Sequence, residues 1–499
     1  MNASEHFEKP VSVRFRVLEG CPDAFEMFVS EFLDQRSKFF LESSVVRPGL
    51  SRFSFMGDAQ GPLGEVITYD TNRQAATIQR SSGTETIAAD SLFDLLKARL
   101  AKRQVACDEA LPFHFNLGYV GYLGYELKSE TIGARAHPSL SPDATFMLAT
   151  RMIAFDHDAQ KTYLLHMVDA NESLNSQAQA WFDAVSRRIA RPVVKAHAER
   201  PVPALPRIHL TLDEVEAWIV KHAHMRHSRA QYIAKINEAL AEIVDGESYE
   251  VCLTNIIEFM LDDAPADLYR MMRSLTPAPY AGYFAVDDFH LVSSSPERFV
   301  RVDSARCAEA KPIKGTRPRG ATPEEDAAQI ADLRNSEKDR AENLMIVDLL
   351  RNDLGQVSTI QSVHVPKLFD IETYSHVHQL VSTIRSTLKP GVSTVDAVRA
   401  VFPGGSMTGA PKRRTMEIID RLEEGPRGAY SGALGWFGLG GACDFNIVIR
   451  SVAVHGRRAQ FGVGGAITAL SDPAEEFEET MVKARGMVEA VEYLREQRQ

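Results

Sequence analysis

Two short runs place carboxylates at helical spacing. In Ser336-Glu337-Lys338-Asp339-Arg340-Ala341-Glu342, Ser336 can cap a helix, Asp339 can close a capping box, and Asp339 and Glu342 then share one face. The run Asp472-Pro473-Ala474-Glu475-Glu476 through Lys483 repeats the device, with Glu476, Glu479 and Lys483 three and four residues apart. Two such edges facing one another make an oxygen-only site that suits Mg²⁺. Taken alone, the same spacing also describes two ordinary solvated helix faces. Lys314, in Lys311-Pro312-Ile313-Lys314-Gly315-Thr316-Arg317, is fixed on both sides by Pro312 and Gly315. A lysine held near other cations or in an apolar pocket loses pKa and serves as nucleophile or base; an anion clamp or a surface turn is the plainer reading. Glu297, in Ser295-Pro296-Glu297-Arg298-Phe299, ends an expected strand and can act as general acid or pair with a base such as Arg298. Arg450 closes Ile447-Val448-Ile449 as a carboxylate fork. His376 and His378 alternate on a strand-like stretch, so at most one faces a site.

Glycine-rich segments surround these groups. Pro403-Gly404-Gly405-Ser406 through Lys412, and Gly462-Val463-Gly464-Gly465-Ala466, lack the order of a nucleotide-binding loop. Their exposed amides can bind a carboxylate, or they are tight turns between strands. Pro411 is placed to open a helix, which puts Lys412, Arg413 and Arg414 in a first turn where the helix dipole disfavours cations, so they need an acidic partner or ligand, or else screening by solvent.

The elements that must position these residues divide at 191–210, a proline-rich, charged stretch that reads as a linker between 11–190 and 211–495. Before it, strands are expected at 39–44, 52–57 and 162–166, with helices at 91–100 and 173–189. After it come helices at 212–223 and 229–245, strands around 251–259 and 280–302, glycine-rich strands between 430 and 468, and long helices at 336–354 and 473–497. Without a strict βαβ rhythm, the class is α+β with antiparallel sheets.

The 499 residues carry a net charge of −11, with 44% hydrophobic and 25% charged residues, which excludes disorder over most of the chain. No run resembles a membrane span or secretory signal. The acidic balance argues against nucleic acid or an anionic membrane as partner. Five scattered cysteines, none in a C-x-x-C pair, point to a reducing cytoplasm rather than to disulfides or zinc.

In order, Ser295 to Phe299, Pro312 to Thr316, Asp339 to Leu349 with Arg351-Asn352-Asp353, Gly409 to Lys412 and Glu476 through Lys483 resemble the chorismate-utilising enzymes. The likeness is dense over 225–490 and thinner at Leu41-Glu42-Ser43 and Gly118 to Glu126. It implies a large two-part antiparallel β-sandwich flanked by helices. A lysine at 314 is similar to aminodeoxychorismate synthase component I, whereas anthranilate synthases typically carry alanine there. Isochorismate and salicylate synthases keep a lysine in the strand matching Glu250 to Asn255, which here has none.

The resemblance implies that Lys314 attacks C2 of chorismate, that Glu297 protonates the departing 4-hydroxyl, and that ammonia then displaces the lysine at C4. Glu342 and Glu479 would ligate Mg²⁺, with Asp339 and Glu476 reaching it directly or through water. Ser406, Tyr430, Arg450, Gly464, Gly465 and Lys483 would line the chorismate pocket, and His378 matches the family's pocket histidine. No cysteine sits in the Gly-x-Cys-x-Gly elbow of a class I glutaminase, so a glutamine amidotransferase on a separate chain is the expected ammonia source. Alternatives are an anthranilate synthase large subunit and a silent docking or tryptophan-sensing subunit.

Overall fold

The computed structural model describes residues 10–42, 52–133, 136–190, 209–374 and 377–498. Ser43, Ser44, His376 and the linker residues 191–208 lie outside them. Two twelve-stranded sheets, antiparallel in every named pairing, form the centre. The α+β class and the helix-flanked antiparallel sandwich are therefore observed.

Each sheet draws strands from both sides of the expected linker. In the first sheet, Ser37–Glu42 pairs with Tyr280–Val286; in the second, Gly118–Leu123 pairs with Ala433–Gly438. Hydrogen-bond ladders thus run unbroken from the N-terminal strands into the C-terminal ones.

Side-chain alternation divides the core. Phe39 and Phe284 enter the apolar layer shared by the two sheets, while their neighbours Phe40 and Tyr283 turn to the layer under the helices. That second layer receives Phe25 and Phe28 of helix Ala24–Phe32, Trp218 of Leu212–His222, Tyr269 of Pro265–Leu275 and Phe477 of Pro473–Glu496. The expected helices over 91–100, 173–189, 212–223 and 229–245 form as Leu92–Lys102, Glu172–Ala190, Leu212–His222 and Arg229–Val244.

Two of the chain crossovers between the sheets meet at the site. Phe289–Ser295 belongs to the first sheet and Arg298–Val302 to the second, so Pro296 and Glu297 make the passage. In the reverse direction Cys443–Ile447 leaves the second sheet and Ser451–His455 enters the first, with Arg450 between them. The crossovers are bonded to each other: Ile447 N–H donates to the Glu297 carbonyl at 3.0 Å, and Ser294 N–H to the Arg450 carbonyl at 3.1 Å. Arg450 therefore lies in a connection with φ +49°, not at a strand end as the sequence pattern implied. A non-glycine residue there stores about 1–3 kcal/mol of strain, a cost commonly found at functional sites.

Candidate active site

Lys314 lies on Ile313–Pro318, at one end of the second sheet. The segment is a bulged strand rather than the surface turn of its plainer reading. Its register against Val377–Thr387 shifts between Ile313 and Thr316, and Gly315 takes φ +85°. A bulge re-aims a side chain, here Lys314, whose Nζ donates to Glu250 Oε1 at 2.6 Å. Glu250 begins Glu250–Met260, close to the edge of the first sheet, so this bond closes the sandwich at one end.

The surroundings correct the expectation of a lysine with lowered pKa. Burial pushes its pKa down, but Glu250, Glu342 and Cys252 together outweigh that, and the net shift is upward. Lys314 rests as an ammonium. Glu250 was not singled out from the sequence. The available signal was an acid opening an otherwise apolar strand, and only the fold shows it fully buried.

Glu297 lies within the electrostatic field of Lys314. Its carboxylate accepts from Ser406 Oγ at 2.9 Å and from the Ile313 amide. Burial pushes its pKa up from 4.5 to about 7, against the lowering pull of Ser406, Lys314 and that amide. A carboxyl protonated near neutrality is equipped to donate a proton. Arg298, the alternative partner, points away to Asp444 and Glu309 at 3.0–3.2 Å.

The two carboxylate helices do face each other. Ser336 caps Glu337–Val357 through the Asp339 amide, and Asp472 caps Pro473–Glu496 through the amides of Ala474 and Glu475. The Asp339 carboxylate does not return to Ser336; it accepts from Arg317 at 3.0 Å. Lys338 bridges the helices, donating to Glu476 Oε1 at 3.1 Å within the field of Glu342 and Glu479. Lys483 pairs with Glu479 at 2.7 Å and donates to the Gly464 carbonyl at 2.7 Å.

Glu342 keeps a buried Oε1 without a hydrogen-bond partner, and its pKa rises to about 7, chiefly through burial. Glu479 is held below the ordinary carboxylate range: burial opposes the shift, and Lys483, Lys338 and Lys314 overcome it. Among the described residues no three His, Cys, Asp or Glu side chains converge closely enough to hold a metal ion. The donor chemistry nevertheless fits a hard divalent cation: oxygen only, on two facing helices, with one buried carboxylate oxygen unused.

Gly462, Gly464 and Gly465 fall inside Arg458–Ile467 rather than in a turn. A Cβ on Gly465 would lie 3.1 Å from Glu476 Oε2, 3.8 Å from Lys483 Nζ and 4.0 Å from Glu479 Oε1, so bare backbone floors the carboxylate cluster. A Cβ on Gly462 would strike the Tyr430 ring at 2.1 Å, which fixes Tyr430 flat against that strand. Arg450 is predominantly buried, its pKa is lowered by burial alone, and its guanidinium makes no hydrogen bond or ion pair among the described residues. Such a cation is set for a carboxylate supplied from outside.

His378 makes its contacts elsewhere. Fully buried, it has Thr373 Oγ1 at 2.9 Å on Nδ1 and Asp326 Oδ1 at 2.9 Å on Nε2, so both ring nitrogens are occupied. Lys412 finds the acidic partner its position demanded: Asp353 at 2.5 Å, with the Val401 and Pro403 carbonyls completing its bonds.

The family model for chorismate binding enzymes matches residues 54–489. The chain belongs to that family. It is 50% identical over 471 residues to aminodeoxychorismate synthase of Streptomyces pristinaespiralis, covering 94% of this chain and 64% of that protein. It is 34% identical over 496 residues to anthranilate synthase component 1 of Streptomyces coelicolor, covering 98% of this chain and 90% of that one. The crystal structure of anthranilate synthase component I from Streptococcus pneumoniae superposes with TM-score 0.71 at 25% identity, covering 89% of this chain and 94% of the other. The chain spans less than two-thirds of the length of the aminodeoxychorismate synthases it matches. Among the described residues no helix is long and apolar enough to cross a membrane.

Proposed function

We propose that this chain converts chorismate and ammonia to 4-amino-4-deoxychorismate. The observation that carries the reading is Glu297 within the field of Lys314, hydrogen-bonded by Ser406 and by the amide of Ile313 next to that lysine, and inclined to hold a proton. Lys314 forms a bond to C2 of the ring as Glu297 protonates the departing 4-hydroxyl. Ammonia then attacks C4 and releases the lysine. Arg450 and Lys483 bind the substrate's carboxylates, with Tyr430 and the Gly464–Gly465 backbone forming the floor.

Mg²⁺ would be held by Glu342 and Glu479, with Asp339 and Glu476 beside them. When bound it supplies positive charge to offset the ring carboxylate. The identity of half with named aminodeoxychorismate synthases supports the reading. The product serves p-aminobenzoate and folate synthesis or an aminobenzoate-derived metabolite. Ammonia comes from a glutaminase site outside these residues, on a partner amidotransferase, and the enzyme works in the cytoplasm.

A second reading, anthranilate synthesis with release of pyruvate, is favoured by the 90% coverage of an anthranilate synthase component 1. Mass spectrometry of products from chorismate, Mg²⁺ and an ammonium salt separates the two. 4-Amino-4-deoxychorismate without pyruvate supports the proposal, and anthranilate with pyruvate replaces it. Lys314→Ala is expected to abolish turnover, and undiminished product would remove the covalent role.

A further inference from the structure

We propose that Glu250 is a further catalytic residue: the base that takes the Nζ proton of Lys314 and frees its amine for attack. The inference rests on the reading of Lys314 as nucleophile. Glu250 is fully buried, and its backbone is anchored on three sides. It pairs with Ala410, its carbonyl accepts from Ser248 Oγ at 2.9 Å, and Gly409 approaches so closely that a Cβ there would lie 1.9 Å from that carbonyl oxygen. Gly409 has φ +134°, a conformation an L side chain rarely adopts.

The carboxylate so placed gives Oε1 to Lys314 at 2.6 Å and leaves the buried Oε2 with no partner. Replacing a buried ion pair by apolar residues is often neutral or stabilising, so stability alone does not account for a carboxylate here. Glu250 bonds this amine, Glu297 lies within its field, and the tasks we assign them are opposite. One receives the proton that blocks attack, and the other supplies the proton that the leaving group needs.

The steps balance. The proton passes from Nζ to Glu250 Oε1. The freed lone pair forms the Nζ–C2 bond, the conjugated ring double bonds shift, the C4–O bond breaks, and the Glu297 proton lets the oxygen leave as water. Attack of ammonia on C4 reverses the shift and breaks Nζ–C2, returning the electron pair to Lys314. Glu297 recovers a proton from the new C4 ammonium, and Glu250 returns its own to Lys314. Chorismate and ammonia give aminodeoxychorismate and water, with no oxidant or reductant.

Glu250→Gln tests this because the two roles of Glu250 have opposite signs. Without the carboxylate the lysine gives up its proton more readily, so trinitrobenzenesulfonate should modify Lys314 faster, read by peptide mass mapping of the whole chain. A base role nonetheless requires kcat to fall about 10²–10³-fold with KM for chorismate within a few-fold. Glu250→Asp keeps a carboxylate and should recover part of that loss. Unchanged or increased kcat in Glu250→Gln, or Glu250→Asp no faster than Glu250→Gln, overturns the inference. The premise is separable: an active Lys314→Ala removes the nucleophile itself, whereas an inactive Lys314→Ala beside a fully active Glu250→Gln removes only the role of Glu250.

Discussion

Gly315→Ala probes how the bulge delivers Lys314. Gly315 has φ +85°, and an added Cβ would sit 2.7 Å from Asp339 Cγ, 2.8 Å from Leu333 Cδ1 and 2.9 Å from Asp339 Cβ. Ordinary carbon contacts are about 3.5–4.0 Å, so these gaps must open by about 1 Å. Asp339 cannot yield freely, since Arg317 holds its carboxylate at 3.0 Å, and Leu333 is fully buried. The left-handed conformation adds about 1–2 kcal/mol for an L residue. Relief comes by flattening the bulge, which turns Lys314 away from Glu250 and Glu297. A misplacement of about 1 Å at a reacting group costs about 10²-fold. We expect kcat/KM for chorismate with ammonium to fall by about that factor, with a lowered thermal midpoint and chorismate still bound. A variant within two-fold of the parent in kcat/KM and with an unchanged midpoint would refute the reasoning.

Three further outcomes follow from the geometry. Because burial raises the Glu297 pKa from 4.5 to about 7, the acid form persists below about pH 7 and is lost above it; kcat should fall on that alkaline limb, and Glu297→Gln should leave a slow, flat residual rate. An unchanged limb in the variant would assign it to another group. Arg450→Met removes a buried cation with no partner among the described residues, so calorimetry should show weaker chorismate binding by about 2–5 kcal/mol while the thermal midpoint rises. Tighter binding or a lower midpoint would contradict this. Arg427→Met strands Glu423, which Arg427 grips at 2.6 and 2.8 Å in full burial, and should cost about 3–5 kcal/mol in denaturant unfolding. Glu423→Gln should restore part of that loss, and additive losses would argue against the pairing.

Individual side chains show where sequence reasoning carries and where it stops. Ser336 and Asp472 were legible as caps because a cap is decided within four residues, as were Glu342, Glu476 and Glu479 on their helix faces. That these faces meet was not legible, because Lys338 reaches Glu476 across 138 residues. Lys314 was legible as unusual, but its ammonium state was not. The neighbours that oppose burial, Glu250 and Glu342, arrive on other elements. Glu250 escaped notice because a lone acid in a strand has no local signature.

The sequence by itself determined the α+β class, most helix positions, the family likeness and the candidate acids and lysines, since periodicity, caps and ordered motifs act over short range. Tertiary structure alone decided that Ser37–Glu42 shares a ladder with Tyr280–Val286, and that Glu297 and Arg450 occupy two neighbouring passages between the sheets. It also decided that Glu250 bonds Lys314 and that Glu297 is buried within the field of that lysine. Burial and charge proximity set the protonation of such groups, and both are properties of residues far apart in sequence that only the closed sandwich brings within 3 Å.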